Sequence, residues 1–100
     1  MIKWKLLKYY ISIRPLYKIS SDGRIVNRHT GLELKTYSDK DGYIQISLPL
    51  ETNGNGTKMK RFAIHRLVAY NFVEGYDKGL TVNHMDGNKA NNRAKNLEWG

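Results

Sequence analysis

The chain has 100 residues, enough for one ordinary domain with a modest core. Lysine and arginine number 17 against 9 acidic residues, and the formal net charge of +8 favours a polyanionic partner, above all nucleic acid. A solubilising charge is the simpler alternative, and a membrane surface is disfavoured because no long basic amphipathic helix is visible. The absence of cysteine excludes disulfides and thiolate zinc sites, which fits an intracellular setting.

The N-terminal half is predicted to consist of strands separated by turns. The first ten residues interleave apolar side chains with lysines, a pattern that fits neither a signal peptide nor a membrane span. Residues 16–26 then place an Asp22-Gly23 turn between two β-rich runs, which is the strongest short-range signal for a hairpin. We therefore expect a β-hairpin there.

A second and longer hairpin is predicted in the middle of the chain. After an Asp-Gly turn, Ile44, Ile46 and Leu48 alternate with more polar neighbours, which indicates a strand with one buried face. The Asn-Gly repeat at residues 53–56 predicts a flexible loop, and residues 58–64 predict the returning strand.

One short helix is predicted next, because apolar residues recur at helical spacing. The residues that carry this spacing are Ile64, Leu67, Val68 and Phe72. Residues 80–83 then predict a short strand, with residues 96–99 as its partner across an irregular loop. The sequence thus predicts an α+β fold, with a β-rich DNA-binding module in residues 1–50 and a second unit in residues 51–100 that could share its core.

The last twenty residues raise a chemical question, because Asn83 and His84 precede an Asp-Gly turn and several asparagines. An imidazole can accept a proton near neutral pH, so His84 could deprotonate a water beside a metal and a phosphate. The Asn83 oxygen could be a ligand for Mg²⁺, which takes few protein ligands. The residues alone leave other roles open, namely a helix cap, a turn residue or a surface side chain. A regular strand would also send the two side chains to opposite faces.

A spaced series of segments carries a family resemblance. The segments are His65–Phe72, Val82–Lys89, the pair Asn91 and Asn92, and Asn96–Trp99. Together they closely resemble the HNH endonucleases of phage genomes and mobile introns, over residues 62–99. Residues 17–25, together with Trp4, resemble the small DNA-binding module that often precedes such nucleases.

The resemblance implies a ββα-metal site, in which two strands and a helix hold a divalent ion against a DNA phosphate. Mg²⁺ or Mn²⁺ is the expected ion, and zinc is not expected. His84 matches the general base, Asn83 matches the position of a metal ligand, and Asn96 matches the residue whose amide braces the histidine loop. We expect three other asparagines to satisfy backbone groups of this loop instead: Asn88, Asn91 and Asn92.

Double-stranded DNA is the expected partner, inside a phage-infected bacterial cell and away from membranes. The candidate phosphate contacts are basic residues of the β-rich part, the second hairpin and the start of the helix. They are Arg14, Lys18, Arg24, Arg28, Lys35, Lys58, Lys60, Arg61 and Arg66. Any single one of them could simply be solvated, and Arg66 could instead cap the helix.

The resemblance also exposes a departure at the end of the sequence. In the family, the strand that contains the counterpart of Asn96 leads into a helix, and this helix supplies a further metal ligand. This sequence stops at Gly100. Since Asn83 is also neutral, we expect weak metal binding and impaired cleavage. The alternative function is a non-catalytic DNA- or protein-binding module of phage origin.

A missing helix would also uncover apolar residues of the last hairpin, which predicts a homodimer or a loosely ordered C-terminus. These residues are Leu80, Val82, Leu97 and Trp99.

Overall fold

The computed structural model describes residues 1–52, 54 and 56–100, and within them it shows an α+β fold with eight short strands and one α-helix. The strands form two three-stranded antiparallel sheets and one antiparallel ribbon. In chain order, the elements are β1 Trp4–Leu6, β2 Tyr17–Ser20, β3 Ile25–Asn27, β4 Tyr37–Ser38, β5 Ile44–Pro49, β6 Met59–Ala63, α1 Ile64–Phe72, β7 Val82–His84, a 3-10 turn Ala94–Asn96, and β8 Leu97–Trp99.

The first sheet, in the order β1-β2-β3, confirms the predicted hairpin around the Asp22-Gly23 turn. Gly23 has a φ of +92°, which residues other than glycine rarely adopt. A Cβ atom there would also lie 3.2 Å from Ile64 Cγ2 and 3.3 Å from Asn92 Cβ, so the turn packs closely on the C-terminal half. Strand β1 was not predicted from the sequence, because all three of its residues are exposed and only its pairing with β2 defines it.

The second sheet, in the order β4-β5-β6, confirms the predicted longer hairpin. Ile46 and Leu48 are buried as the alternation predicted, and β5 ends at Pro49. Gln45 is also buried, and its Nε2 donates to Asp39 Oδ2 at 2.9 Å, so burial does not cost this amide a hydrogen bond. The predicted flexible loop includes Asn53 and Asn55, which lie outside the described residues.

Helix α1 begins directly after β6 and confirms the predicted helix. Its apolar face completes a core that contains residues from both sides of residue 50, so the two halves are packed together. The buried apolar residues are Leu7, Tyr17, Ile19, Ile25, Ile46, Leu48, Phe62, Ile64, Leu67, Val68, Ala69 and Leu97. The assignment of separate roles to residues 1–50 and 51–100 stays a prediction. Over the part of the chain described, no helix has the length and apolar character needed to cross a bilayer.

The ribbon of β7 and β8 confirms the predicted pairing of the last two strands. The expectation of an uncovered apolar face on this ribbon is wrong for Val82, Leu97 and Trp99, whereas Leu80 is half-buried and lies outside the core cluster. Leu97 is buried, Val82 and Trp99 pack against the core, and Trp99 Nε1 donates to the Val73 carbonyl at 3.0 Å. The reason is that α1 packs against both strands of the ribbon. The exposed apolar face was the physical reason for predicting a homodimer, and it is absent at these three residues. The homodimer stays a prediction.

Candidate active site

His84 is the last residue of β7, and a side chain from the following loop holds its ring. Its Nε2 lies 2.7 Å from Oδ1 of Asn92, which is almost fully buried. Because an amide oxygen can only accept a hydrogen bond, this contact places the imidazole proton on Nε2. The other ring nitrogen, Nδ1, then carries the free lone pair, which is the feature that a general base needs.

Asn96 ties the loop that follows His84 to the start of β8. Its Oδ1 accepts from the Asp86 backbone N–H at 3.0 Å, and its Nδ2 donates to Asp86 Oδ1 and to the Asn91 carbonyl, both at 2.9 Å. The Met85 N–H donates to the Asn96 carbonyl at 2.8 Å. The Asn96 side chain therefore binds the loop at Asp86 and at Asn91, which restricts the movement of His84.

Asp86 is the hydrogen-bond acceptor at the centre of this loop. Its carboxylate accepts from Asn91 Nδ2 and from the Asn88 N–H, each at 2.8 Å, in addition to the Asn96 amide. These donors, Asn91 first, hold the pKa of Asp86 below its ordinary value. Asn88 Oδ1 in turn accepts from the Ala90 N–H at 3.0 Å. The loop asparagines thus act mainly on the loop itself.

The expectation that these asparagines satisfy backbone groups of the loop is wrong for Asn91, whose side chain donates to the Asp86 carboxylate, and for Asn92. The Asn92 side chain is buried, lies against the Gly23 turn and points its oxygen at His84. The sequence contains no local signal for this, since Asn91 and Asn92 are neighbours of the same type. Only the packing of the N-terminal turn on the loop distinguishes them.

Two further rings, neither assigned to the site from the sequence, form a wall beside His84. The His65 ring lies 5.0 Å from the His84 ring, and the Tyr43 ring lies 5.3 Å and 6.2 Å from the rings of His65 and His84. Lys89 Nζ sits 4.6 Å from the Tyr43 centroid. His65 is 8% exposed, and its Nδ1 has no hydrogen-bond partner among the described residues. Burial, together with the nearby His84 and Arg66, lowers the pKa of His65 to about 4.

The low pKa of His65 predicts a pH-dependent stability. The unfolded chain takes up the proton near the ordinary pKa of about 6.5 and the folded chain only near 4, so the free energy of unfolding falls as pH decreases through this window. Between pH 7.5 and 4.5 the loss from this residue should be about 2 to 3 kcal/mol.

Urea unfolding at both pH values tests this, with His65→Gln compared with wild type. The glutamine variant should lose this part of the pH dependence, whatever its stability at pH 7.5. His29→Gln is the matched control, because His29 is exposed. An unchanged pH dependence in His65→Gln would contradict the prediction.

Asn83 is exposed on β7, directly opposite Glu98, in a ladder without a bulge. A regular strand alternates its side chains, so Asn83 and His84 project to opposite faces of the ribbon. The structure therefore brings His84 together with Asn92 and does not bring Asn83 to them.

The described residues fit a divalent ion only in part. Among them, no group of three or more His, Cys, Asp or Glu side chains is placed to hold a metal. At the Asn83 position, the two paired side chains offer one neutral amide and one carboxylate, that of Glu98 across the ribbon. A hard ion that keeps water and phosphate ligands suits so sparse a set better than zinc, which prefers nitrogen and sulfur.

The predicted DNA contacts are spread over both sheets and the helix. Arg14 donates to Leu50 and Thr57, Arg24 pairs with Asp22 at 3.2 Å, and Arg66 Nε donates to the Tyr9 hydroxyl at 3.3 Å. Arg66 makes no helix cap, because the start of α1 has no capping side chain. The remaining predicted contacts lie outside the core: Lys18, Arg28, Lys35, Lys58, Lys60 and Arg61.

Comparison with known proteins identifies the family. Residues 62–100 match the HNH endonuclease family. The chain is 43% identical over 98 residues to the DNA endonuclease I-HmuI of Bacillus phage SP01, covering 98% of this chain and 52% of that protein. Residues 62–100 therefore form an HNH endonuclease domain. An HNH endonuclease of Acanthamoeba polyphaga mimivirus is likewise 43% identical over 97 residues, which are 97% of this chain and 26% of the relative. The chain thus spans about half of one relative and a quarter of the other.

A solved structure shows that the HNH resemblance extends to the whole fold. The structure describes DNA binding and cleavage by the HNH homing endonuclease I-HmuI, and it aligns with a TM-score of 0.76 at 40% identity. The match covers 98% of this chain and 52% of that one. The resemblance to HNH endonucleases carried by the spaced segments, and the α+β fold predicted from the strand and helix patterns, are therefore confirmed.

Proposed function

We propose that this HNH chain binds double-stranded DNA and hydrolyses a phosphodiester bond, with His84 as the base that takes a proton from the attacking water. The observation that carries the proposal is the 2.7 Å contact between His84 Nε2 and Asn92 Oδ1. It leaves Nδ1 with the lone pair and fixes the direction in which that lone pair points. The net charge of +8 supports an anionic substrate, and the similarity to a phage DNA endonuclease supports DNA.

The surrounding residues act on the histidine and not on the substrate. Asn92 holds the tautomer, Asn96 holds the loop after the histidine through Asp86, and the His65 ring limits rotation of the imidazole. Such positioning lowers the barrier because the base need not search for its reactive orientation. The proposed setting is the interior of a phage-infected bacterium.

A divalent cation, Mg²⁺ or Mn²⁺, is the proposed cofactor, with Asn83 as the proposed protein ligand. Because a regular strand points Asn83 and His84 to opposite faces, this role requires β7 to bend so that the Asn83 side chain reaches the His84 side. When bound, such an ion would stabilise the negative charge that develops on the phosphate and the leaving oxygen. The neutral Asn83 amide binds a cation more weakly than a carboxylate, so low affinity is expected.

The Asn83→Asp variant should therefore bind Mn²⁺ more tightly, by about tenfold or more, which corresponds to at least about 1.4 kcal/mol. Isothermal titration calorimetry of the free protein measures this without relying on cleavage. Asn27→Asp adds the same charge in the first sheet and serves as the control. Equal gains in both variants, or no gain in Asn83→Asp, would argue against Asn83 as a ligand.

A second candidate function is DNA binding without cleavage. It is favoured by the small number of metal-ligating side chains gathered in the described part of the chain. Supercoiled-plasmid nicking with Mg²⁺ or Mn²⁺, repeated with EDTA and run beside a DNA-binding assay, separates the two functions. Metal-dependent nicking supports the nuclease, whereas binding without nicking under any metal condition supports the binding module.

A further inference from the structure

A basic groove is lined in part by the segment just before β8. It encloses about 450 Å³ between β1, the Ser21-Asp22 turn, the end of α1 and the loop before β8. Four basic side chains line it: Lys3, Lys5, Arg93 and Lys95. Its apolar lining comes from Ile2, Phe72 and Ala94, among others.

The charge of the groove is not balanced by acidic neighbours. Among its lining residues the one acidic side chain is Asp22, and its carboxylate already accepts from Ser20 Oγ and from Arg24 Nε. The hydrogen bonds of the described residues use no side-chain nitrogen of Lys3, Arg93 or Lys95. These three charges therefore remain available to an anion.

Backbone hydrogen bonds to Ser21 fix the walls of the groove. The Lys3 N–H donates to Ser21 Oγ at 2.9 Å, and the Ser21 N–H donates to the Lys3 carbonyl at 2.8 Å. The Ala94 N–H donates to the Ser21 carbonyl at 2.8 Å. Lys5 Nζ donates to the Asn71 carbonyl at 2.7 Å, which holds this ammonium at the edge of the groove. The backbone positions that carry Lys3, Arg93 and Lys95 are thus held close to Ser21 by the fold.

The groove is connected to the active site through consecutive residues. Asn92 holds the His84 ring, and the next residue, Arg93, lines the groove. Asn92 is itself packed against Gly23, which follows the groove residue Asp22. An anionic chain lying in the groove would therefore pass close to the residue that orients the base.

We propose that this groove binds the phosphodiester backbone of duplex DNA and guides the strand toward His84. This inference rests on the proposed function. The three cations of Lys3, Arg93 and Lys95, which have no hydrogen-bond partner among the described residues, can neutralise phosphates. The guanidinium of Arg93 can bind a phosphate with two hydrogen bonds, and the apolar lining suits the deoxyribose. None of the four basic residues of the groove was among the DNA contacts predicted from the sequence.

The test compares the double variant Arg93→Gln/Lys95→Gln with wild type in binding a labelled short duplex. Fluorescence anisotropy in EDTA, between about 50 and 200 mM salt, excludes cleavage and gives the salt dependence. Removing two phosphate contacts should reduce the slope of log affinity against log salt by about 1.8 and weaken binding at every salt concentration. Lys40→Gln/Lys78→Gln removes the same charge from positions outside the groove and should change the slope much less.

The outcomes distinguish this proposal from the proposed function. If wild type binds duplex DNA and the groove variant keeps its affinity and slope, the groove proposal is overturned and the proposed function stands. If wild type does not bind duplex DNA, the proposed function fails, and the groove proposal, which rests on it, fails with it. If duplex binding is lost in the groove variant while wild type binds DNA without nicking it, the groove proposal stands and the nuclease proposal fails. A loss seen only with single-stranded oligonucleotides would also overturn the duplex assignment.

Discussion

Replacing His84 with alanine is expected to abolish metal-dependent nicking of supercoiled plasmid while leaving DNA affinity within a factor of about two. A positioned general base typically contributes about 10² to 10⁴ in rate. DNA affinity should survive because the proposed phosphate contacts are lysine and arginine side chains elsewhere on the chain. Single-turnover nicking rates and anisotropy on the same preparations measure both quantities.

His29→Ala is the matched control, because it removes an exposed imidazole whose side-chain contact is with its neighbour Arg28. It should nick DNA as wild type does. A His84→Ala variant that nicks at the wild-type rate would rule out His84 as the base. A variant that loses DNA binding as well would show that His84 acts in binding and not in chemistry.

The hairpins and the helix were predictable because their signals are local. Asp-Gly turns and strand alternation determine the β2-β3 and β5-β6 hairpins within a few residues of each turn. Strand β1 was missed for the opposite reason. Its three exposed residues carry no buried face, and it exists because β2 offers an edge to pair with.

The candidate site could be predicted only where its contacts are local. Asn88 bonds to the backbone two residues away, as asparagines in turns usually do. Asn92 reaches His84 across the loop, and that contact depends on the Gly23 turn packing behind it. His65 was recognised only as part of a family segment, because its position beside His84 depends on how α1 packs against the ribbon.

The incorrect expectation about the last ribbon has the same origin. The apolar pattern of Leu97 and Trp99 showed that β8 needs a covering element, but a pattern does not show which element covers it. Helix α1 is distant along the chain and covers it in space, with Trp99 hydrogen bonded to Val73, the residue that follows the last residue of α1. Sequence periodicity predicts a buried face without identifying its partner.

The Asn92→Leu variant should nick DNA roughly 10- to 100-fold more slowly than wild type, with unchanged DNA affinity. Leucine has no oxygen to accept from His84 Nε2, so the imidazole loses both its fixed tautomer and its orientation, and misplaced catalytic groups cost about this much. Asn92→Asp keeps an acceptor of nearly the same shape and should retain most of the rate.

The comparison of these two variants separates positioning from packing. Asn92 is buried, so either substitution can lower stability, and thermal unfolding gives the temperature below which both remain folded for the assay. Nitrogen-15 chemical shifts of the His84 ring report the tautomer directly: Nε2–H should dominate in wild type and Asn92→Asp and should be mixed with Nδ1–H in Asn92→Leu. Equal nicking by all three proteins would show that Asn92 packs against His84 without positioning it. Because rate and tautomer are measured on folded protein, a slow Asn92→Leu with a wild-type tautomer would assign the loss to ring orientation alone.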